Sequence, residues 1–72
     1  MDINIRKTIL QNIKENSHDE LEATIADAIE DGEEKMLPGL GFLFELIWKQ
    51  ADEEERVELV DTLQNGVANT SI

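Results

Sequence analysis

Residues 38–48 read Pro-Gly-Leu-Gly-Phe-Leu-Phe-Glu-Leu-Ile-Trp and form the most apolar stretch of the 72-residue chain. Pro38 has a fixed φ and no N–H, which suits the first position of a helix better than an interior position. The spacing of the apolar residues predicts a helix over 38–51. One face of this helix comprises Leu40, Leu43, Phe44, Ile47, Trp48 and Ala51. Phe42 and Leu46 are apolar on another face, so we expect this helix at the centre of the core.

Two helices are predicted before this stretch. Isoleucine residues that recur at three- and four-residue steps indicate a first helix over about 3–15. Ser17 and Glu20 then have the spacing of a capping box, in which a hydroxyl and a carboxylate satisfy free N–H groups at the start of a second helix. Gly32 follows the last apolar residue of that helix and is well placed as the left-handed residue that ends it.

A fourth helix is predicted after the apolar stretch. Asp52 and Glu55 repeat the capping-box spacing, and the run of acidic residues there favours the positive end of a helix dipole. The apolar residues that follow indicate a helix over about 53–64. Asn65 and Gly66 are typical of a C-terminal cap, so we expect the helix to end there.

The length of the chain limits the number of domains. With 72 residues, two separately folded units would each lack a core large enough to offset the entropy of ordering the chain. No alternating strand pattern interrupts the predicted helices. We therefore expect one all-α domain, a compact bundle of about four short helices, ordered over about 3–67 and followed by a flexible tail over 68–72.

The chain carries a formal net charge of −11 and only six Lys or Arg residues. Basic residues that neutralise phosphates supply most sequence-independent affinity for DNA or RNA, so we expect no nucleic-acid partner. The same charge is repelled by an anionic membrane surface, and no apolar stretch approaches the ~20 residues that span a bilayer, so we expect no membrane partner. The absence of a signal-peptide pattern and of cysteine favours an intracellular protein.

Candidate catalytic and metal-binding residues do not form a recognisable site. His18 is the only histidine and Ser17 is assigned to a helix cap, so neither has a partner group for nucleophilic catalysis. A cluster of acidic residues invites a calcium hypothesis: Asp27, Glu30, Asp31, Glu33 and Glu34. Its spacing does not fit an EF-hand, because Pro38 stands where the bidentate glutamate is required. We expect no enzymatic activity, no cofactor and no metal, and interpret the cluster as a solvated helix face.

Two glycines near the start of the third predicted helix need an explanation, because each costs a helix roughly 1 kcal/mol relative to alanine. Gly39 and Gly41 lack the third glycine, the preceding strand and the lysine that phosphate-binding loops use. We interpret them as positions where the helix packs closely on a neighbour.

The third predicted helix has apolar residues on more than one face, and this has two interpretations. The residues concerned are Phe42, Leu43, Leu46, Ile47 and Trp48. The other helices could surround these residues as the hub of a small core. Alternatively, one side stays exposed and binds a second copy or another protein, with Trp48 as an anchor. Under the second interpretation the partner is an unknown protein, and the choice between a monomer and a homodimer stays open.

The chain also resembles a known family along most of its length. The most specific stretch is 32–41, Gly-Glu-Glu-Lys-Met-Leu-Pro-Gly-Leu-Gly, within a longer similarity over 23–48. Residues 1–6 and 62–66 are similar to the same family, the small, acid-soluble spore protein I family. The resemblance implies no catalytic or ligand-binding residues.

The function implied by this resemblance is that of a minor protein made in the developing forespore of endospore-forming bacteria and stored in the spore core. The major spore proteins that coat DNA are of a different type, and the net charge of −11 independently opposes such a role. Two other functions are weighed against this one. The chain could be a helical module for protein–protein interaction through the face 42–48, or a polyanionic reservoir of counter-ions in the spore core.

Overall fold

The computed structural model describes residues 3–71, with side chains from residue 5 onward, and contains four α-helices. α1 spans Ile3–Ile13, α2 spans His18–Asp31, α3 spans Leu37–Gln50 and α4 spans Glu53–Asn69. A 3-10 turn over Glu34–Met36 leads into α3. No strand occurs in this part of the chain, so the predicted all-α bundle is confirmed.

Both predicted capping boxes are present. Ser17 Oγ accepts a hydrogen bond from the N–H of Glu20 at 3.2 Å, and the Glu20 carboxylate accepts one from the N–H of Ser17 at 3.0 Å. Asp52 and Glu55 exchange the same two bonds at 2.9 and 3.0 Å. Gly32 has φ 70° and ψ 5°, the left-handed conformation expected of a residue that ends a helix. Local side chains therefore determine where α2 and α4 begin and where α2 ends.

The ends of α1 and the start of α3 differ slightly from the prediction. α1 ends at Ile13, two residues before the predicted end, and a turn follows in which the N–H of Asn16 bonds to the carbonyl of Ile13 at 3.0 Å. α3 begins at Leu37, one residue before Pro38, which still lies in the first turn where its missing N–H costs nothing. These shifts leave the order and number of the helices unchanged.

The predicted cap at Gly66 is wrong. α4 continues through this residue to Asn69, and Gly66 does not adopt the positive φ of a helix-ending glycine. Val67 and Ala68 continue the helical hydrogen bonding, which outweighs the cost of roughly 1 kcal/mol for glycine in a helix. The helix therefore includes the first two residues of the predicted tail, whereas Ile72 lies outside the described residues.

The core lies where α1, α2 and α3 meet around the 3-10 turn. Its buried apolar residues are Ala28 and Phe42, with exposed fractions of 8% and 5%. Gly39, Phe42 and Glu45 lie three residues apart on α3, and the two outer residues face Ile9 and Arg6 of α1. Phe42 therefore lies on the side of α3 that is turned towards α1, at the centre of the core as expected.

The interpretation of Gly39 and Gly41 as close-packing positions is corrected. A Cβ atom on Gly39 would meet Cδ1 of Ile9 at 3.9 Å, which is an ordinary van der Waals contact. A Cβ atom on Gly41 would meet no described atom within 4 Å. The packing of α3 therefore tolerates a small side chain at either position.

Candidate functional site

The predicted interaction face on α3 is only partly accessible. Phe42 is buried, so it cannot contact a partner while the chain is folded, and its inclusion in the face is corrected. Leu43, Leu46 and Trp48 are half-buried, whereas Ile47 is exposed by 43%. Phe44, which was not included in the predicted interaction face, is exposed by the same fraction. The accessible part of α3 is therefore narrower than the sequence indicated and is centred on Phe44 and Ile47.

Trp48 is occupied by contacts within the chain. The guanidinium of Arg56 lies 5.1 Å from the centroid of the indole ring, which is the geometry of a cation–π interaction. Arg56 Nε also donates a hydrogen bond to the carbonyl oxygen of Trp48 at 2.9 Å, and the Phe44 ring centroid lies 6.1 Å from that of Trp48. Because α3 supplies Trp48 and α4 supplies Arg56, this contact joins the last two helices.

α4 presents an apolar surface that the rest of the described chain does not cover. Along the whole helix only Arg56 and Leu59 are half-buried, and the other residues are exposed. The helical period places four apolar residues on one face, which we call the α4 stripe: Leu59, Val60, Leu63 and Val67. Leu63 is exposed by 58% and Val67 by 68%. The sequence pattern predicted the stripe but not its exposure, because the pattern cannot show whether another element packs against a helix face.

A second apolar surface is concave and lies between the first three helices. This feature, which we call the α1–α3 groove, has a volume of about 630 Å³. Its apolar lining includes Ile5, Ile9, Ile13, Ala28, Leu40 and Leu43. The exposed residues Asp27, Asp31 and Lys35 also line it. Sequence reasoning missed the groove, because helical spacing places these isoleucines and leucines on helix faces without showing how closely the helices pack against one another.

A long-range ion pair ties α1 to α3 beside this groove. Arg6 donates two hydrogen bonds to the carboxylate of Glu45, from Nε at 3.1 Å and from Nη2 at 2.9 Å. The hydrogen bond from Arg6 holds the pKa of Glu45 below its ordinary value of 4.5. Glu20 also has a lowered pKa, because it accepts the backbone hydrogen bond of Ser17 in the first capping box. The carboxylates of Glu45 and Glu20 therefore have structural roles, one in an ion pair between helices and one in a helix cap.

One group of possible metal ligands occurs among the described residues. The ligand atoms of His18, Asp19 and Glu22 lie within 4.8 Å of one another at the start of α2. His18 Nδ1 is 3.5 Å from Asp19 Oδ1, and both side chains are more than 90% exposed. Water therefore solvates these groups, and no buried polar group holds them in a fixed ligand geometry. We assign them to the solvated start of α2.

The candidate catalytic and calcium-binding residues contact groups that belong to the helix cap or to neighbouring charged side chains, or are exposed. The hydroxyl of Ser17 is used in the helix cap, and His18 approaches an acidic side chain rather than a nucleophile. In the acidic cluster, Glu33 forms an ion pair with Lys35 at 2.9 Å, and the remaining members are exposed. Within residues 3–71, no helix has both the length and the apolarity of a membrane span.

Comparisons with known proteins relate the chain to one family. Residues 3–67 match the family described as small, acid-soluble spore protein I. A relative of that name in Bacillus cytotoxicus is 56% identical over 69 residues, which cover 96% of this chain and 99% of the relative. Another in Bacillus cereus is 57% identical over 67 residues, covering 93% of this chain and 97% of the relative. No solved structure matches the chain.

Proposed function

Because the chain belongs to the small, acid-soluble spore protein I family, we propose that it is a non-enzymatic protein made in the forespore and stored in the spore core. The observation that carries this proposal is the similarity itself, which extends over residues 3–67 of this chain and nearly the full length of the relatives. All four helices fall within or overlap that range. The proposed role is storage in the spore, without a defined ligand or substrate.

The proposed role excludes coating of DNA. The net charge of −11 repels a polyanion, and the few basic side chains are largely engaged within the chain. Arg6 and Lys49 approach Glu45, Lys35 pairs with Glu33, and Arg56 lies over Trp48. Neutralisation of phosphates is the step that gives DNA-binding proteins most of their affinity. Engaged cations in an acidic protein therefore support storage without DNA binding.

Quantitative mass spectrometry of cell fractions tests the storage proposal. Growing cells, sporulating cells and purified dormant spores of the encoding organism are extracted with acid, and the spores are also stripped of their coats before extraction. We expect strong enrichment in spores, and retention of the protein after coat removal. Equal abundance in growing cells would overturn the assignment to spores, and loss with the coats would overturn the assignment to the core.

Fluorescence anisotropy with labelled double-stranded DNA tests the exclusion of DNA binding. Low salt is the most sensitive condition, since electrostatic affinity falls steeply with salt concentration. We expect no change in anisotropy at low salt, whereas a basic DNA-binding domain of similar mass gives the positive control. Salt-dependent binding by this chain would contradict the proposed role.

A second candidate function is a helical interaction module. The exposure of Phe44 and Ile47 on α3 and of the α4 stripe supports it, because monomeric proteins seldom expose contiguous apolar surface of this kind. Gel filtration with light scattering tests this function for self-association. A mass above that of one chain supports it, and a strict monomer with no protein partner in crosslinked spores argues against it.

A further inference from the structure

The α4 stripe and the α1–α3 groove have complementary shapes. The stripe is a convex row of aliphatic side chains that is exposed from Val60 to Val67 and half-buried at Leu59, and the groove is a concave surface lined by isoleucine and leucine. Helix-in-groove docking uses such a row of side chains at three- and four-residue steps. Within one chain, the contact between Trp48 and Arg56 holds α4 against the last turn of α3, whereas the groove lies at the first turns of α3.

The two surfaces also have matching lengths. Along α1 the groove extends from Ile5 to Ile13, a separation of eight residues or about 12 Å at the rise of an α-helix. The stripe extends from Leu59 to Val67, which is again eight residues and about 12 Å. One stripe is therefore long enough to span one groove.

The charge distribution favours a second copy as the occupant. Residues 62–71 contain no charged side chain, so this end of α4 can approach an equally acidic chain without repulsion between carboxylates. The start of α4 is acidic, whereas α1 carries Arg6 and Lys7 and no carboxylate between residues 3 and 13. Arg6 is already paired with Glu45, so docking of α4 against α1 of another copy brings the acidic start of α4 towards the exposed Lys7, whereas pairing of two α4 helices would bring two acidic segments together.

The area of contact requires that docking be reciprocal. Ten residues of helix are about 15 Å long, and half the circumference of a helix about 11 Å across is roughly 17 Å. One docked helix therefore buries roughly 500 Å² when both surfaces are counted, which is typical of a weak contact. Two dockings related by a two-fold axis bury roughly 1,000 Å², the lower limit for a specific interface.

From these four observations we propose that two copies of the chain form a two-fold symmetric dimer in which the α4 stripe of each copy packs into the α1–α3 groove of the other. This proposal rests on the second candidate function and is independent of storage in the spore. Each copy carries both surfaces but cannot cover its own groove with its own stripe, so in this arrangement both apolar surfaces are covered only in the dimer.

A matched pair of substitutions in α4 tests the involvement of the stripe. Leu63→Asp places a carboxylate in the proposed contact, and Asn65→Asp adds the same charge on the opposite face of the same helix. We expect Leu63→Asp to raise the dimer dissociation constant roughly a hundredfold or more, since burial of one leucine contributes roughly tenfold to a hundredfold and the two-fold dimer loses a leucine at each of its two contacts. Sedimentation equilibrium measures both variants, and far-UV circular dichroism checks that each remains helical. A wild-type chain that stays monomeric, or equal effects of both substitutions, would overturn the proposal.

Cysteine crosslinking tests the geometry, because the natural chain contains no cysteine. One variant carries Asp27→Cys at the groove and another carries Gln64→Cys beside the stripe; both positions are exposed. We expect a short bismaleimide to crosslink a mixture of the two variants and neither variant alone. A crosslink between two Gln64→Cys chains would show pairing of α4 with α4 and refute the reciprocal arrangement. Either failure leaves the storage proposal untouched, because that proposal is tested by the cell fractions.

Discussion

Phe42 is the large side chain on which the packing of the first three helices depends. It is exposed by only 5%, whereas its neighbours on α3 are half-buried or exposed. A chain of this length buries a smaller fraction of its surface than a larger domain does, so its stability depends on few buried side chains. Truncation at this position therefore has a larger effect than truncation of any exposed apolar residue of α3.

Phe42→Ala should destabilise the fold by about 3–4 kcal/mol, because it removes a buried ring and leaves a cavity. Phe44→Ala removes the same group from a position that is exposed by 43%, and we expect a loss of about 1 kcal/mol. Urea denaturation followed by far-UV circular dichroism measures both free energies of unfolding. Equal losses for the two variants would show that Phe42 does not hold the core.

The ion pair between Arg6 and Glu45 predicts sensitivity to acid. Because the folded-state pKa of Glu45 lies below its ordinary value of 4.5, the folded chain binds fewer protons than the unfolded chain just below that pH. The stabilisation is present above pH 4.5 and is lost as the pH falls through the folded-state pKa. Glu45→Gln should therefore lower stability at pH 7 and flatten the decline of stability below pH 4.5.

Thermal unfolding at a series of pH values between 7 and 3 checks this dependence. Glu54→Gln is the matched control, since it removes an exposed carboxylate from the first turn of α4. We expect the control to retain the steeper decline of the natural chain. An unchanged acid profile for Glu45→Gln would contradict a structural role of the ion pair.

At the scale of the helices, two glycines differ in backbone conformation and therefore in their tolerance of a side chain. Gly66 is inside α4 with a helical conformation, and a Cβ there would meet no described atom within 4 Å. Gly32 ends α2 with φ 70°, where a side chain is strained. Gly66→Ala should stabilise the chain by about 1 kcal/mol, and Gly32→Ala should destabilise it by about 1 kcal/mol. Thermal unfolding of both variants provides the comparison, and shifts of the same sign would refute this account of α4.

The attachment of α4 to α3 gives another prediction. Arg56→Gln removes the cation over the Trp48 ring and the hydrogen bond to the Trp48 carbonyl, a loss of about 1 kcal/mol or more. We expect the fluorescence maximum of Trp48 to shift to longer wavelength and amide exchange at the start of α4 to accelerate. Arg6→Gln removes a cation elsewhere and should leave the tryptophan emission unchanged. If Arg56→Gln left that emission unchanged as well, Arg56 would not shield the ring.

The starts of α2 and α4 could be predicted from the sequence because their signals are local. Ser17 with Glu20, and Asp52 with Glu55, satisfy backbone groups within one turn and need no other element. The end of α4 could not be predicted in this way. Asn and Gly at 65 and 66 favour a cap, but the backbone of Gly66 is equally able to continue a helix. Its conformation depends on the following residues as much as on its own.

The exposed surfaces were harder to predict than the helices. Helical spacing correctly gathered the apolar residues of α3 and α4 onto faces, yet it left open whether Phe42 lies in the core or on an accessible side, and it did not show that Phe44 is exposed. Burial depends on which helices meet and at what angle, and a period of 3.6 residues carries no information about either. The α1–α3 groove was unpredictable for the same reason, since it forms where three helices fail to close.

At the scale of the whole molecule, charge sets the solubility. The sequence gives an isoelectric point of about 4.2, so the chain carries no net charge near that pH. In stronger acid the carboxylates are neutral, and the six Lys and Arg residues give a positive charge. We expect a solubility minimum near pH 4.2 and full solubility in dilute acid, as measured by the protein left in the supernatant after centrifugation. Precipitation that persisted in dilute acid would contradict this explanation of acid solubility.

α4 packs only loosely against the rest of the described chain. The Cα radius of gyration is 13.3 Å, compared with about 11 Å for a typical compact chain of this length. A helix with little covered surface opens at small energetic cost, and proteases cleave the segments that open most readily. Digestion should therefore begin in α4 and spare the first three helices. If a second copy covers that helix, cleavage slows as the chains become concentrated and accelerates on dilution. The lifetime of the chain then depends on how much of it is present.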